Sequence, residues 1–185
     1  MFFLKQAFFQ RNVCVVAREL LGAELVWGQC SGRIIETEAY AAQGDPACHT
    51  ATRPSARQFL ASHPPGCAYV YLNYGIYWLL NLVVKGGDRD GMVLIRALEP
   101  LSGLTQMEKR RSGRPQNDWC SGPGKLGRAL GIGAADHGRV LAGPRKALGF
   151  GVRRRECAVF WNVLAGPRVG ITRAVDFPWR FRVAE

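Results

Sequence analysis

The sequence predicts a single α+β domain, and three observations predict it. The chain has 185 residues and 48% hydrophobic content, enough for one domain with a real core and too little for two comfortable ones. Short β-branched and aromatic runs alternate with a few helical stretches along the chain. The turn-forming run Gly86-Gly87-Asp88-Arg89-Asp90-Gly91 separates two apolar segments, as a hairpin turn does.

The elements follow in order. Apolar residues at 13, 15, 16, 17, 20 and 21 predict a helix from Val13 to Leu21, stopped by Gly22. Leu25-Val26-Trp27 reads as a strand leading to a turn at Ser31-Gly32. Arg33 to Tyr40 reads as a second strand, with Glu36, Glu38 and Tyr40 on one face and Ile35, Thr37 and Ala39 on the other. Residues 41–67, rich in Ala, Gly, Pro, Ser and Thr, read as a long loop with one helical turn, the kind of segment that carries function. Ala68–Leu72 and Trp78–Val84 are strands joined through Tyr74-Gly75-Ile76-Tyr77, and Met92–Leu98 is the strand returning from the glycine-rich turn. Leu101–Arg111 is helical, Ser112–Asn117 is a basic loop, and Ser121-Gly122-Pro123 opens a helix to about Leu130. Residues 133–158 are glycine-rich, basic and weakly patterned. Short strands are expected near Arg168–Thr172 and Arg180–Val183. No repeat or linker divides the chain, so residues 1–185 are expected to form one domain.

Charge is distributed unevenly. Residues 1–99 carry nine basic and eight acidic side chains, residues 100–185 sixteen basic and six acidic, for a net charge of +11. Such a surface attracts polyanions, although charge alone fits a merely soluble basic protein equally well. No apolar run reaches the length of a membrane span, so no membrane partner is expected. The start, apolar but broken by Lys5 and Gln6, lacks a signal-peptide core and reads as mature chain. The cysteines at 14, 30, 48, 67, 120 and 157 show no C-x-x-C or finger spacing, which argues against zinc and for reduced, mostly buried thiols.

Three patterns bear on chemistry. Glu36 and Glu38 repel each other unless one is paired, and Arg33 and Arg96 are candidate partners; the other carboxylate is then free to take a proton from water. The same pattern fits a half-exposed strand with surface glutamates. All five tyrosines, at 40, 69, 71, 74 and 77, lie within 38 residues. They suit strand packing, and they suit stacking on a base, which is worth about 1–3 kcal/mol per ring. Cys48-His49 is too close in sequence to form a catalytic thiol–imidazole couple, so His49 is better used lining a pocket. Gly122-Pro123-Gly124-Lys125-Leu126 lacks the spacing of a nucleotide-triphosphate loop, but a lysine at a helix start can hold a DNA phosphate.

On these residues the chain resembles the alkyladenine (3-methyladenine) DNA glycosylases. The motifs that carry the resemblance are Arg33-Ile34-Ile35-Glu36-Thr37-Glu38-Ala39-Tyr40, Tyr69 through Tyr77 to Asn81, Leu94-Ile95-Arg96-Ala97-Leu98-Glu99-Pro100, Cys120 to Leu126, and Arg168-Val169-Gly170-Ile171, in order between Ala17 and Phe181. The resemblance implies an α+β fold around a curved antiparallel β-sheet with surrounding helices, with no metal and no cofactor. It implies Glu38 as the general base and Arg96 and the main chain of Val169 as positioning groups for the attacking water. It places Tyr40 and His49 on one side of a flipped base and Tyr71 on the other, Asn81 against the position of a purine 2-amino group, and Tyr74 as the wedge that replaces the base in the duplex. The implied partner is double-stranded DNA containing damaged purines, met inside the cell by a monomer. No lysine stands in these motifs as an imine-forming nucleophile, so hydrolysis without strand cleavage is expected. The run Arg53-Pro54-Ser55-Ala56-Arg57-Gln58 and Asn73 depart from the family pattern beside the wedge.

Overall fold

The computed structural model describes residues 2–142, 149–154 and 162–184. Among the described residues nine strands form one antiparallel, curled half-barrel sheet, and five α-helices pack around it. The strands are β1 (Phe2–Phe3), β2 (Glu24–Trp27), β3 (Cys30–Ala41), β4 (Ala68–Asn73), β5 (Tyr77–Val84), β6 (Gly91–Ser102), β7 (Phe150–Arg154), β8 (Val163–Gly166) and β9 (Arg180–Val183). The helices are α1 (Val13–Glu19), α2 (His49–Thr52), α3 (Pro54–Ser62), α4 (Leu104–Arg110) and α5 (Pro123–Leu130). Strand order is β1-β7-β2-β3-β6-β5-β4. The long β3 pairs with β6 along one edge; on its other edge it pairs first with β2 and then with β9, which also binds β8.

Alternation along the strands sorts side chains onto two faces. Ala39 and Ala41 of β3, Ala68 and Val70 of β4, Leu80, Leu82 and Val84 of β5, and Val93 and Ile95 of β6 point into the main core under α1, α4 and α5. Their neighbours of the other parity, Tyr69, Val83 and Met92, meet Ala56, Phe59 and Leu60 of α3 in a smaller cluster on the opposite face. Thr37 follows the first group and donates its hydroxyl to the Ala17 carbonyl of α1 at 2.8 Å. Asn12 starts α1 by accepting the Cys14 amide at 2.9 Å, the ordinary chemistry of an N-cap.

Several readings of the sequence change. The turn expected at Ser31-Gly32 lies at Gly28-Gln29, and Ser31 and Gly32 belong to β3, paired with Val26 and Leu25. The helix expected from Leu101 starts at Leu104, because β6 runs on to Ser102. Residues 41–67 hold two helices, α2 and α3. Pro54 starts α3 because its missing N–H costs nothing in a first turn, and Ala56, Phe59 and Leu60 give the helix its buried stripe. The strand expected at 168–172 is irregular backbone: Gly170 has a φ of +76°, and the Val169 amide is spent on a side chain. The pairing segment lies earlier, at β8, against β9. The weakly patterned stretch 133–158 contains β7, which pairs with β1 and β2; the rest of the stretch from 143 to 148 and from 155 onward, including Cys157, lies outside the described residues. Among the described residues no helix is long and apolar enough to cross a membrane.

Candidate active site

The face of the sheet opposite α1 carries the site. On β3 from Glu36 to Tyr40 the even-numbered residues face this way, on β4 and β5 the odd ones, and on β6 the even ones from Met92 to Arg96; beyond the register shift Ile34 and Leu98 turn into the main core. Two irregularities align them. Ile35 on β3 and Arg96 on β6 each fall out of the ladder where the register shifts around Glu36. Bulges re-aim side chains beside active sites, and here Arg96 is turned onto both glutamates.

Glu38 is wholly buried, with 0% exposure. Its Oε1 accepts the Val169 backbone N–H at 2.7 Å. Its Oε2 accepts the Tyr40 hydroxyl at 2.8 Å and Arg96 Nη1 at 3.3 Å. Arg96 also donates through Nε to Glu36 at 3.0 Å, and Arg180 pairs with Glu36 from β9. Arg96 therefore bridges the two carboxylates. Arg33, the other candidate partner, pairs with Glu99.

Tyr40, Arg96 and Val169, the three donors to Glu38, all line a cavity of about 560 Å³. The carboxylate thus sits directly behind the cavity lining. Cavity walls also come from His49, Tyr69, Tyr71, Tyr74 and Asn81, so four of the five tyrosines line this cavity, and Tyr77 is not among its lining residues. Asn81 donates its amide to the Tyr69 carbonyl at 3.2 Å, which fixes the side chain at the wall. The His49 ring contacts the Tyr71 ring edge-on at 4.4 Å, and its Nδ1 lies 3.2 Å from the Tyr69 hydroxyl. Cys48 receives the Thr50 hydroxyl instead of pairing with His49.

The local electrostatics favour neutral rings. Burial, helped by the Arg53 guanidinium, pushes the His49 pKa down to about 4, so the imidazole is uncharged near neutrality. Burial, then the neighbouring Tyr69, pushes the Tyr71 phenol up to about 12. Burial and then the Glu38 carboxylate raise the Tyr40 phenol further still, which keeps it a hydrogen-bond donor.

Tyr74 stands at the tip of the β4–β5 hairpin and is 82% exposed. Ile76 N–H bonds to the Asn73 carbonyl at 3.1 Å, and the two residues between them, Tyr74 and Gly75, have φ of +51° and +69°. Positive φ at both central positions is the geometry of the tightest hairpin turns. Gly75 adopts it freely, whereas Tyr74 is held there against its preference.

A second layer went unmarked in the sequence. Asp45 and Arg168, both buried, form a two-pronged ion pair. Asp45 also accepts the Ala41 and Ala47 amides, each at 3.1 Å, which pins the segment leading to His49. Arg168 donates to the Ala39 carbonyl at 2.9 Å and lies 4.6 Å from the centre of the Tyr40 ring and 5.2 Å from that of Trp179. One ion pair thereby fixes the ring of Tyr40, the approach to His49, and the residue next to Val169. The available signal was that Asp45 is the only acid between 41 and 67. At the start of α5, Lys125 pairs with Asp118 and is already engaged. Among the described residues no group of three His, Cys, Asp or Glu could hold a metal ion.

The geometry is matched by sequence comparison. Residues 7–185 match the model of the methylpurine-DNA glycosylase family. A Rhodopseudomonas palustris protein named "Putative 3-methyladenine DNA glycosylase" is 47% identical over 178 residues, covering 96% of this chain and 83% of the relative. Proteins of the same name from Bradyrhizobium diazoefficiens and Bacillus licheniformis are 43% and 42% identical, covering 97% and 94% of this chain and 86% and 89% of theirs. The chain belongs to the methylpurine-DNA glycosylase family.

Proposed function

We propose that this chain is a monofunctional DNA glycosylase. It flips alkylated purines such as 3-methyladenine out of duplex DNA and hydrolyses the N-glycosidic bond, as one domain acting as a monomer inside the cell. The observation that carries this reading is the Glu38 carboxylate, held by three donors directly behind a cavity walled with tyrosines.

A carboxylate offers about four acceptor positions, and three of Glu38's are taken, leaving one on Oε1 for a water. Glu38 takes a proton from that water as its oxygen attacks C1′, and the purine departs with the bonding electrons. Arg96 and the Val169 main chain orient the carboxylate and the water. Tyr40 and His49 flank one side of the flipped base and Tyr71 the other; the His49 and Tyr71 rings, in edge contact at 4.4 Å, part to admit it. An alkylated purine carries positive charge, which electron-rich neutral rings stabilise and which already makes the base a good leaving group. The lowered pKa of His49 suits this role, since an imidazolium would repel such a base. Neutral deaminated purines such as hypoxanthine lack that charge and need a proton to leave. Asn81, fixed at the wall, crowds a purine 2-amino group and disfavours normal guanine. Tyr74 fills the gap in the base stack. Among the described residues no lysine lines the cavity, which supports hydrolysis without an imine and without strand cleavage.

Single-turnover release of 3-methyladenine from methylated duplex DNA tests the reading. Glu38→Gln is expected to bind lesion DNA but release base about 10²–10⁴-fold more slowly, the usual weight of a general base. Near-wild-type release by Glu38→Gln sinks the assignment of the base. Lesion-selective binding without release by the wild type points to a damage-binding protein of the same fold.

A further inference from the structure

A second concavity, of about 620 Å³, lies on the other side of the β4–β5 hairpin. The two share a wall. Tyr74 and Pro123 face the first, while Ile76, Tyr77 and Gly124 face the second. The wall is closely packed: a Cβ on Gly124 would come within 2.7 Å of the Tyr77 ring, so only glycine lets α5 meet the hairpin here. The two spaces differ in chemistry. The second is bordered by Lys109, Arg110 and Arg128, all exposed, and by no acid among the described residues. None of the three makes an ion pair among the described residues. Arg110 is held in place by neutral groups, donating to the Ala129 carbonyl at 3.0 Å, and Gly131 leaves room for its guanidinium, which a Cβ there would approach to 2.9 Å. Ile76, 68% exposed, and Tyr77 give the space an apolar side toward the hairpin.

We infer that this groove is a binding site for backbone phosphates of the undamaged strand opposite the lesion. The inference rests on the glycosylase reading above. A wedge that enters the stack from the strand being flipped crosses toward its partner. The first concavity receives the extruded base on the near side of the hairpin, so the far side is where the partner strand passes. Three unpaired cations spaced along that side meet a polyanion, and each neutralised phosphate releases counterions.

The test crosses a protein variant with a chemical change in the DNA. The protein is wild type or the double variant Lys109→Gln/Arg128→Gln. The probe is a duplex oligonucleotide with one tetrahydrofuran abasic site, carrying normal phosphates, methylphosphonates in the partner strand opposite the site, or methylphosphonates in the lesion strand. Binding is measured against salt. On the normal duplex the double variant is expected to lower the log–log salt slope by about 1.8, that is about 0.9 for each lost phosphate contact. On the partner-neutralised duplex the two proteins should coincide. An unchanged slope on the normal duplex overturns the site. A difference that survives partner-strand neutralisation and disappears with lesion-strand neutralisation overturns the strand assignment. Release of 3-methyladenine by the wild type tests the underlying glycosylase reading separately, since the salt slope requires no catalysis.

Discussion

At Tyr74 stability and the proposed wedge role make opposite demands. The turn requires positive φ, which costs a non-glycine residue about 1 kcal/mol or more, and the residue placed there is a large exposed ring. Asparagine tolerates this conformation better. Tyr74→Asn is expected to match or exceed wild-type stability in urea denaturation while binding lesion DNA more weakly; unchanged lesion affinity would refute the wedge. His49 provides a second residue-level prediction. Its folded pKa of about 4 lies below the ordinary 6.5, so the unfolded chain binds the extra proton between those values. The stability linked to this residue is complete above about pH 6.5 and declines as pH falls toward 4. An NMR titration of the His49 ring should show its midpoint near pH 4. How legible each residue was follows from distance along the chain. Glu38 and Tyr40 were visible together because a strand repeats every two residues, and their hydrogen bond follows from that period. Asp45 and Arg168 are joined only by the fold, across 123 residues, so no local pattern announced them.

Secondary-structure elements were legible where periodicity was long and lost where it was short or where a side chain replaced a partner strand. The helix at 13–21, the hairpin and the β5–β6 pair emerged because each buries a continuous stripe. The α3 helix hides behind a loop-like composition, with only Ala56, Phe59 and Leu60 buried. The segment 168–172 alternates like a strand, but its Val169 amide goes to Glu38, so it leaves the ladder at the point where the site needs it. The close contact of α5 on β5 is similarly concealed in a glycine. A Cβ on Gly127 would lie 2.1 Å from the Trp78 carbonyl oxygen. Gly127→Ala improves helix propensity by about 1 kcal/mol, yet overpacking at fixed backbone costs about 1–3 kcal/mol. The steric cost should dominate, since backbone meets backbone and no side chain can yield. Net destabilisation in chemical denaturation is the expected result, and stabilisation would show that α5 can slide.

For the whole molecule, the charge asymmetry between the two halves of the sequence is resolved by the fold. The acid-balanced first half supplies β3 to β5, most of β6 and most of the cavity wall; the basic second half completes that wall with Pro123 and the segment from Val169 to Arg173, and supplies α4 and α5 with Lys109, Arg110 and Arg128 beside the hairpin. Composition could reveal the excess of cations, but their placement depends on α5 meeting β5. The two-faced sheet has a further consequence, one of inheritance. Around the site, on β3 from Glu36, on β4 and β5, and on β6 up to Arg96, residues of one parity build the main core and residues of the other face the cavity side, so a single stretch of sequence carries two interleaved messages. A change at Leu79 or Leu94 edits the message about the shape of the cavity wall, and a change at Leu80 or Val93 edits the message about whether the chain folds. Neighbouring codons can therefore diverge under different pressures, and a lineage can retune its appetite for damage without first surrendering the scaffold that holds it.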